Sequence, residues 1–237
     1  MIENFDSYSA GTVITAGSNL GGGSGWANVW QKLGGGNWTV ETAPAGGQGG
    51  IAARCNVTTV NTVVYRAFTS GLSSGAMWFR MRLSITNPSD FCGLFLYETV
   101  PSGGGRGYIR FGPTGNIDVY NNSTYVSVKD GYSVDTWYLV KVEWDDAAHP
   151  NQYQVTVDGG TPSGWISVSG GSFSVFTGVC FESSATNAHT FWIDELRDTD
   201  PSGGSSASIT PPVGSLSVSG VASRSDFGIF VPTEVDA

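Results

Sequence analysis

Carboxylates, histidines and aromatic rings carry whatever chemistry this sequence holds. Glycan hydrolysis needs two carboxylates at a set separation, one with a raised pKa. Asp194 and Glu195 are adjacent, so on a strand they point to opposite faces. Glu143, Asp145 and Asp146 lie close together, but their segment runs into a turn. A lyase would need a convergent set of Tyr, His and Arg. The two histidines, His149 beside Pro150 and His189 near a strand start, read as loop residues. Cys55, Cys92 and Cys180 are far apart and show no CxxC or Cys/His metal spacing, so they read as buried thiols. No catalytic residue is expected, and the chain reads as non-enzymatic.

The aromatic residues point to binding. Sugars present apolar C–H faces that stack on Trp and Tyr, with polar neighbours for the hydroxyls. Trp26, Trp30, Trp38, Tyr97, Tyr108, Tyr120, Tyr125 and Trp165 lie in or near Gly- and Asn-rich segments, which suit binding loops. Tyr108 and Arg110 share one strand face, as a sugar platform or as an ordinary exposed sheet face. The expected carbohydrate contacts are Trp26, Trp30, Tyr97, Tyr108, Arg110 and Tyr120. Trp78, Trp137, Trp144 and Trp192 read as core or sheet packing.

The elements that position these residues are strands. Short runs rich in Val, Ile, Tyr, Trp, Phe and Thr alternate with Gly, Asn, Asp, Ser and Pro. In residues 76–83, Met77, Phe79, Met81 and Leu83 form one face, with Trp78, Arg80 and Arg82 on the other. In residues 137–144, Tyr138, Val140, Val142 and Trp144 oppose Trp137, Leu139, Lys141 and Glu143. Asp158-Gly159-Gly160, Pro113-Thr114-Gly115-Asn116 and Lys129-Asp130-Gly131 supply turns, because Gly, Asn and Asp accept positive φ cheaply. About ten such strands predict an all-β, two-sheet antiparallel sandwich.

Composition narrows the classes further. Charged residues are 13% of the chain, about half the ~25% usual for soluble domains, and aromatics are 12%. That balance argues against disorder. No apolar run approaches the ~20 residues of a membrane helix. A net charge of −9 argues against a nucleic-acid partner. Met1–Asp6 has no basic or apolar leader character, so the chain is expected to be intracellular at birth or to have lost a leader. Residues 199–214 read as a Ser/Gly/Pro linker. Residues 215–237 form an extended tail, too short for its own core yet apolar at Leu216, Val218, Val221, Phe227, Ile229 and Phe230. Such a tail is expected to anchor on another chain or clasp its own sandwich.

Three stretches resemble the concanavalin A-like (laminin-G-like) jelly-roll superfamily. They are Glu3–Thr12, the hairpin of Trp137–Trp144 with Tyr153–Gly159, and the closing Phe191-Trp192-Ile193-Asp194-Glu195-Leu196. Together they frame residues 1–198. The resemblance implies two antiparallel sheets in a jelly roll, frequent carbohydrate binding and a frequent structural calcium. For calcium it implies Asp194, with Glu3 and Asp6 as partners; the alternative is that Asp194 caps a strand end. The Glu-x-Asp-x-x-Glu strand of the family's glycanases has no counterpart here.

The tail is similar to a short segment of bacteriophage structural proteins, written G-I-A-S-x-x-x-F-G-x-P-x-V. Val218-Ser219-Gly220-Val221-Ala222-Ser223, Phe227-Gly228, Pro232 and Val235 carry the likeness, although Ile229-Phe230-Val231 stands where one residue is usual. The resemblance implies a virion surface protein assembled in the host cytoplasm. It would be a capsid decoration, head-fibre or tail-associated protein, with other virion proteins and sibling copies as partners and polysaccharide as a ligand. The alternative is a secreted carbohydrate-binding or glycan-processing module.

Overall fold

A computed structural model of the chain describes residues 2–3, 5–15, 20–47, 50–57, 62–86, 88, 91–98, 105–170, 175–183, 187–200, 222–224 and 230–232. These divide between two compact units, Met1–Pro201 and Ser202–Ala237. No helix occurs among the described residues.

In the first unit two antiparallel sheets share one apolar core. The first sheet runs β14 (Ile166–Ser167), β13 (Gln152–Val157), β12 (Tyr138–Asp145), β7 (Ser74–Leu83), β16 (His189–Arg197), β5 (Ile51–Val57), β4 (Asn37–Thr42) and β2 (Thr12–Ile14), with β1 (Ile2–Glu3) also paired to β16. The second runs β11 (Thr124–Lys129), β10 (Ile117–Asn121), β9 (Gly105–Phe111), β8 (Cys92–Tyr97), β15 (Phe176–Ser183), β6 (Thr62–Leu72) and β3 (Gln31–Gly34). Strands distant in sequence are neighbours, as in β12-β7-β16 and β8-β15-β6, which is the crossover pattern of a jelly roll.

Alternation explains the layering. Met77, Phe79, Met81 and Leu83 are buried, as are Tyr138, Val140, Val142 and Trp144. These faces meet the second sheet's Leu94, Leu96, Ile109, Phe111, Val179 and Phe181 in the core. Aromatic rings cross the gap: Phe79 meets Phe181 edge-on at 5.6 Å, and Trp144 meets Phe176 at 5.5 Å. Trp78, Trp137 and Trp192 lie half-buried on the outer face of the first sheet, where Lys141 covers Trp78 at 5.1 Å and Arg54 covers Trp192 at 5.4 Å. The three cysteines are buried and none of them forms a disulfide.

His189 is not a loop residue but the first residue of β16 and is buried, with Nε2 2.7 Å from Ser183 Oγ and Nδ1 2.8 Å from the Asn187 carbonyl. Asp194 and Glu195 do not diverge across the sheet. Glu195 has a φ of 58°, and the register shifts between Asp194 and Arg197. This bulge turns both acids to one side. Asp194 stands opposite Arg80 in the ladder, and Glu195 Oε2 accepts from Arg80 Nε at 2.7 Å.

In the second unit, β17 (Ala222–Arg224) pairs antiparallel with β18 (Phe230–Pro232), Arg224 opposite Phe230. Leu216, Val218, Val221, Phe227 and Ile229 lie outside the described residues. Phe230 is placed by its backbone alone.

Candidate binding face

The outer face of the second sheet carries one row of side chains across all seven strands. Register places Tyr125 beside Tyr120, Tyr108 beside Phe95, Phe95 beside Cys180, Cys180 beside Tyr65 and Tyr65 beside Gln31. The rings touch in turn: Tyr125–Tyr120 at 5.0 Å, Tyr120–Tyr108 at 5.5 Å and Tyr108–Phe95 at 4.6 Å. Strands put alternate residues on one face, and antiparallel register lines those residues up across the sheet, so the row follows from pairing. At its centre Phe91 packs tilted against Phe95 at 4.2 Å and, with Cys180, closes a small second core, rimmed by Tyr65, Tyr97, Tyr108 and Val63. On one side of that core, half-buried Tyr108, Tyr120 and Tyr125 form an aromatic shelf over three strands.

A polar row runs parallel to the shelf. Asp118 stands opposite Arg110, Arg110 opposite Gly93, and Gly93 opposite Glu182. The Arg110 guanidinium lies 3.2 Å above the Tyr125 ring and 3.7 Å from Asp118 Oδ2. Burial pushes the Asp118 carboxyl up against the opposing pull of Arg110. Burial likewise raises the Tyr125 and Tyr97 hydroxyls.

Tyr153 sets the spacing of the shelf. It belongs to β13 of the first sheet and is fully buried. The β9–β10 ladder ends at the pair Val119–Ile109, one step before Tyr120 and Tyr108. There the Tyr153 hydroxyl accepts from the Tyr108 amide at 3.2 Å and donates to the Tyr120 carbonyl at 2.7 Å. A phenol from the opposite sheet therefore replaces one rung of the ladder. Tyr153→Phe leaves both backbone groups buried and unpaired, an expected loss of about 1–3 kcal/mol in urea unfolding. A loss below about 0.5 kcal/mol would show that the rung closes without the hydroxyl.

Of the six expected carbohydrate contacts, Tyr97, Tyr108, Arg110 and Tyr120 lie on this face. Trp30 does not: it is fully buried, stacked on Phe5 at 5.7 Å and tilted against Phe181 at 6.4 Å. Trp26 is half-buried against Phe68 and Arg66, its Nε1 donating to the Ile2 carbonyl at 3.2 Å. The Gly-rich context of the two tryptophans marked loops, but the rings fold inward because Glu3 and Arg66 offer partners there. Tyr65, Phe91 and Phe95 were missed as members of the face. The alternation of Gly93, Phe95 and Tyr97 against Cys92, Leu94 and Leu96 was the available signal.

Glu3, Asp6 and Asp194 do not come together as a calcium site. No cluster of three or more His, Cys, Asp or Glu suited to a metal occurs among the described residues. Glu3 is committed to Arg66 at 2.5 Å, Tyr8 at 2.9 Å, Trp30 at 3.1 Å and the Phe5 amide at 2.9 Å. Asp6 Oδ1 accepts from the Gly50 and Ile51 amides. Asp194 stands beside Arg80 on the outer face of the first sheet. Both Glu3 carboxylate oxygens and Asp6 Oδ1 already accept hydrogen bonds from the protein.

No family model matches the chain, and no curated protein matches it either. Solved structures do. The catalytic domain of a glycoside hydrolase family 131 protein from Coprinopsis cinerea superposes with a TM-score of 0.52 at 14% identity, covering 84% of this chain and 93% of that one. The fold is a jelly-roll β-sandwich. The globular domain of Trypanosoma cruzi calreticulin gives 0.50 at 9% identity, covering 86% of this chain and 89% of that one. A sialidase gives 0.51 at 11% identity, covering 69% of this chain but spanning only 17% of the sialidase. Identities this low establish the jelly roll and say nothing about activity.

Proposed function

We propose that the chain is a non-enzymatic glycan-adhesion protein of a bacteriophage virion surface. The observation that carries adhesion is the Tyr108–Tyr120–Tyr125 shelf beside Arg110: half-buried rings, tilted to one another, for sugar C–H faces, with the half-buried Arg110 guanidinium in reach of hydroxyls. Two structures of the same fold are named for glycan chemistry, a glycoside hydrolase and a sialidase, which supports the ligand class. The virion setting rests on the tail sequence around Val218–Val235, and other virion chains and sibling copies are its partners.

The test titrates the purified full chain with a panel of polysaccharides while following aromatic fluorescence and released reducing ends. Fluorescence quenching without product is expected. Tyr108→Ala with Tyr120→Ala is expected to weaken binding by about 2 kcal/mol, some thirtyfold. Release of product would make the chain a glycan-processing enzyme, and binding unchanged by the double substitution would remove the shelf from the site. Mass spectrometry of purified particles tests the setting. Protein found only in the medium would return the chain to a secreted carbohydrate-binding module.

A further inference from the structure

We infer that the shelf takes an uncharged glycan segment and rejects uronate- or sialate-bearing chains, an inference that rests on the adhesion reading above. Each cation of the second sheet already has a partner. Lys32 Nζ donates to the Gly36 carbonyl at 2.7 Å. Arg66 is buried against Glu3. Arg106 pairs with Glu98 at 3.0 Å and donates to the Ser169 carbonyl. Lys129 lies 3.7 Å from Asp158. Arg110, the cation beside the shelf, is covered by the Tyr125 ring on one face and faces Asp118.

The polar row therefore holds two carboxylates, Asp118 and Glu182, to one guanidinium. Asp130 adds a third negative charge acting on Asp118 and is held at the shelf edge by the Ser127 hydroxyl at 2.7 Å. A sugar carboxylate arriving here must give up water without an unpaired cation to receive it, and it meets the field of the buried Asp118 carboxylate beside Arg110. A neutral sugar meets no such cost. Its hydroxyls can donate to and accept from the tyrosine hydroxyls, while its apolar face covers the rings. The shelf spans two strand spacings, about 10 Å, which suits a short internal stretch of a chain.

The test is calorimetry of the full chain against hydroxyethyl cellulose, galactomannan and dextran on one side, and polygalacturonate, alginate and hyaluronate on the other. Each is run at low salt and at about 0.15 M ionic strength. Binding to at least one neutral polymer is expected, with affinity changing less than about twofold with salt. The anionic polymers are expected at least about tenfold weaker. Asp118→Asn, and separately Glu182→Gln, are expected to raise affinity for polygalacturonate, a gain that a misfolded variant cannot produce. Tighter, salt-sensitive binding of the wild-type chain to an anionic polymer overturns this inference and leaves adhesion standing. Binding to neither set overturns adhesion and this inference together.

Discussion

Glu3→Gln is expected to destabilise the sandwich by about 3–5 kcal/mol, measured by urea unfolding at neutral pH. Glu3 and Arg66 are 63 residues apart, and their side chains are 0% and 2% exposed. Arg66 Nη1 lies 2.5 Å from Glu3 Oε2, and Arg66 Nε donates to the Asn28 carbonyl at 2.7 Å. The Trp26 ring lies 5.0 Å from the guanidinium. Burial already pulls the Arg66 pKa down, and the Glu3 charge opposes that pull. Gln removes the opposing charge and leaves a cation enclosed without its counterion. A domain's whole stability is about 5–15 kcal/mol, so the loss takes a large share. The double variant Glu3→Gln, Arg66→Met removes both charges and is expected to recover much of it. A single-variant loss below about 1 kcal/mol would mean that water reaches the pair and screens it.

Trp30→Ala is expected to cost about 3–5 kcal/mol in the same assay while leaving polysaccharide affinity at the wild-type level. The indole is fully buried between Phe5 and Phe181, so truncation opens a cavity that packed neighbours fill only in part. Its Nε1 also donates to Glu3 Oε2 at 3.1 Å, so the Trp30 and Glu3 losses will not add. A large loss of binding by a chain that unfolds like the wild type would put Trp30 at the ligand and displace the Tyr108–Tyr120–Tyr125 shelf.

Trp30 also shows where residue-by-residue reading ends. Its flanking glycines marked a loop, and the loop is there. Whether the ring points to solvent or into the core depends on Glu3 and Arg66, which the chain brings beside it from elsewhere. The calcium trio came apart for the same reason. Glu3 carries a suitable carboxylate, but a buried arginine claims it first. Strict alternation sends Asp194 and Glu195 to opposite faces, and a single bulge at Glu195 overrides that rule.

What the sequence by itself determined is local. A period of two assigns Met77, Phe79, Met81 and Leu83 to one face without any knowledge of neighbours, because the pleat alone imposes it. The same pleat set Tyr108 and Arg110 on a common face. Only the tertiary structure decided which strands lie side by side. Cys180 of β15 meets Phe95 on one flank and Tyr65 on the other, across 85 and 115 residues of chain. A ring's own sequence context does not encode that adjacency, because the free energy of pairing comes from burying both sheets at once. The shelf is a product of register, and its spacing is held by Tyr153, a residue of the opposite sheet.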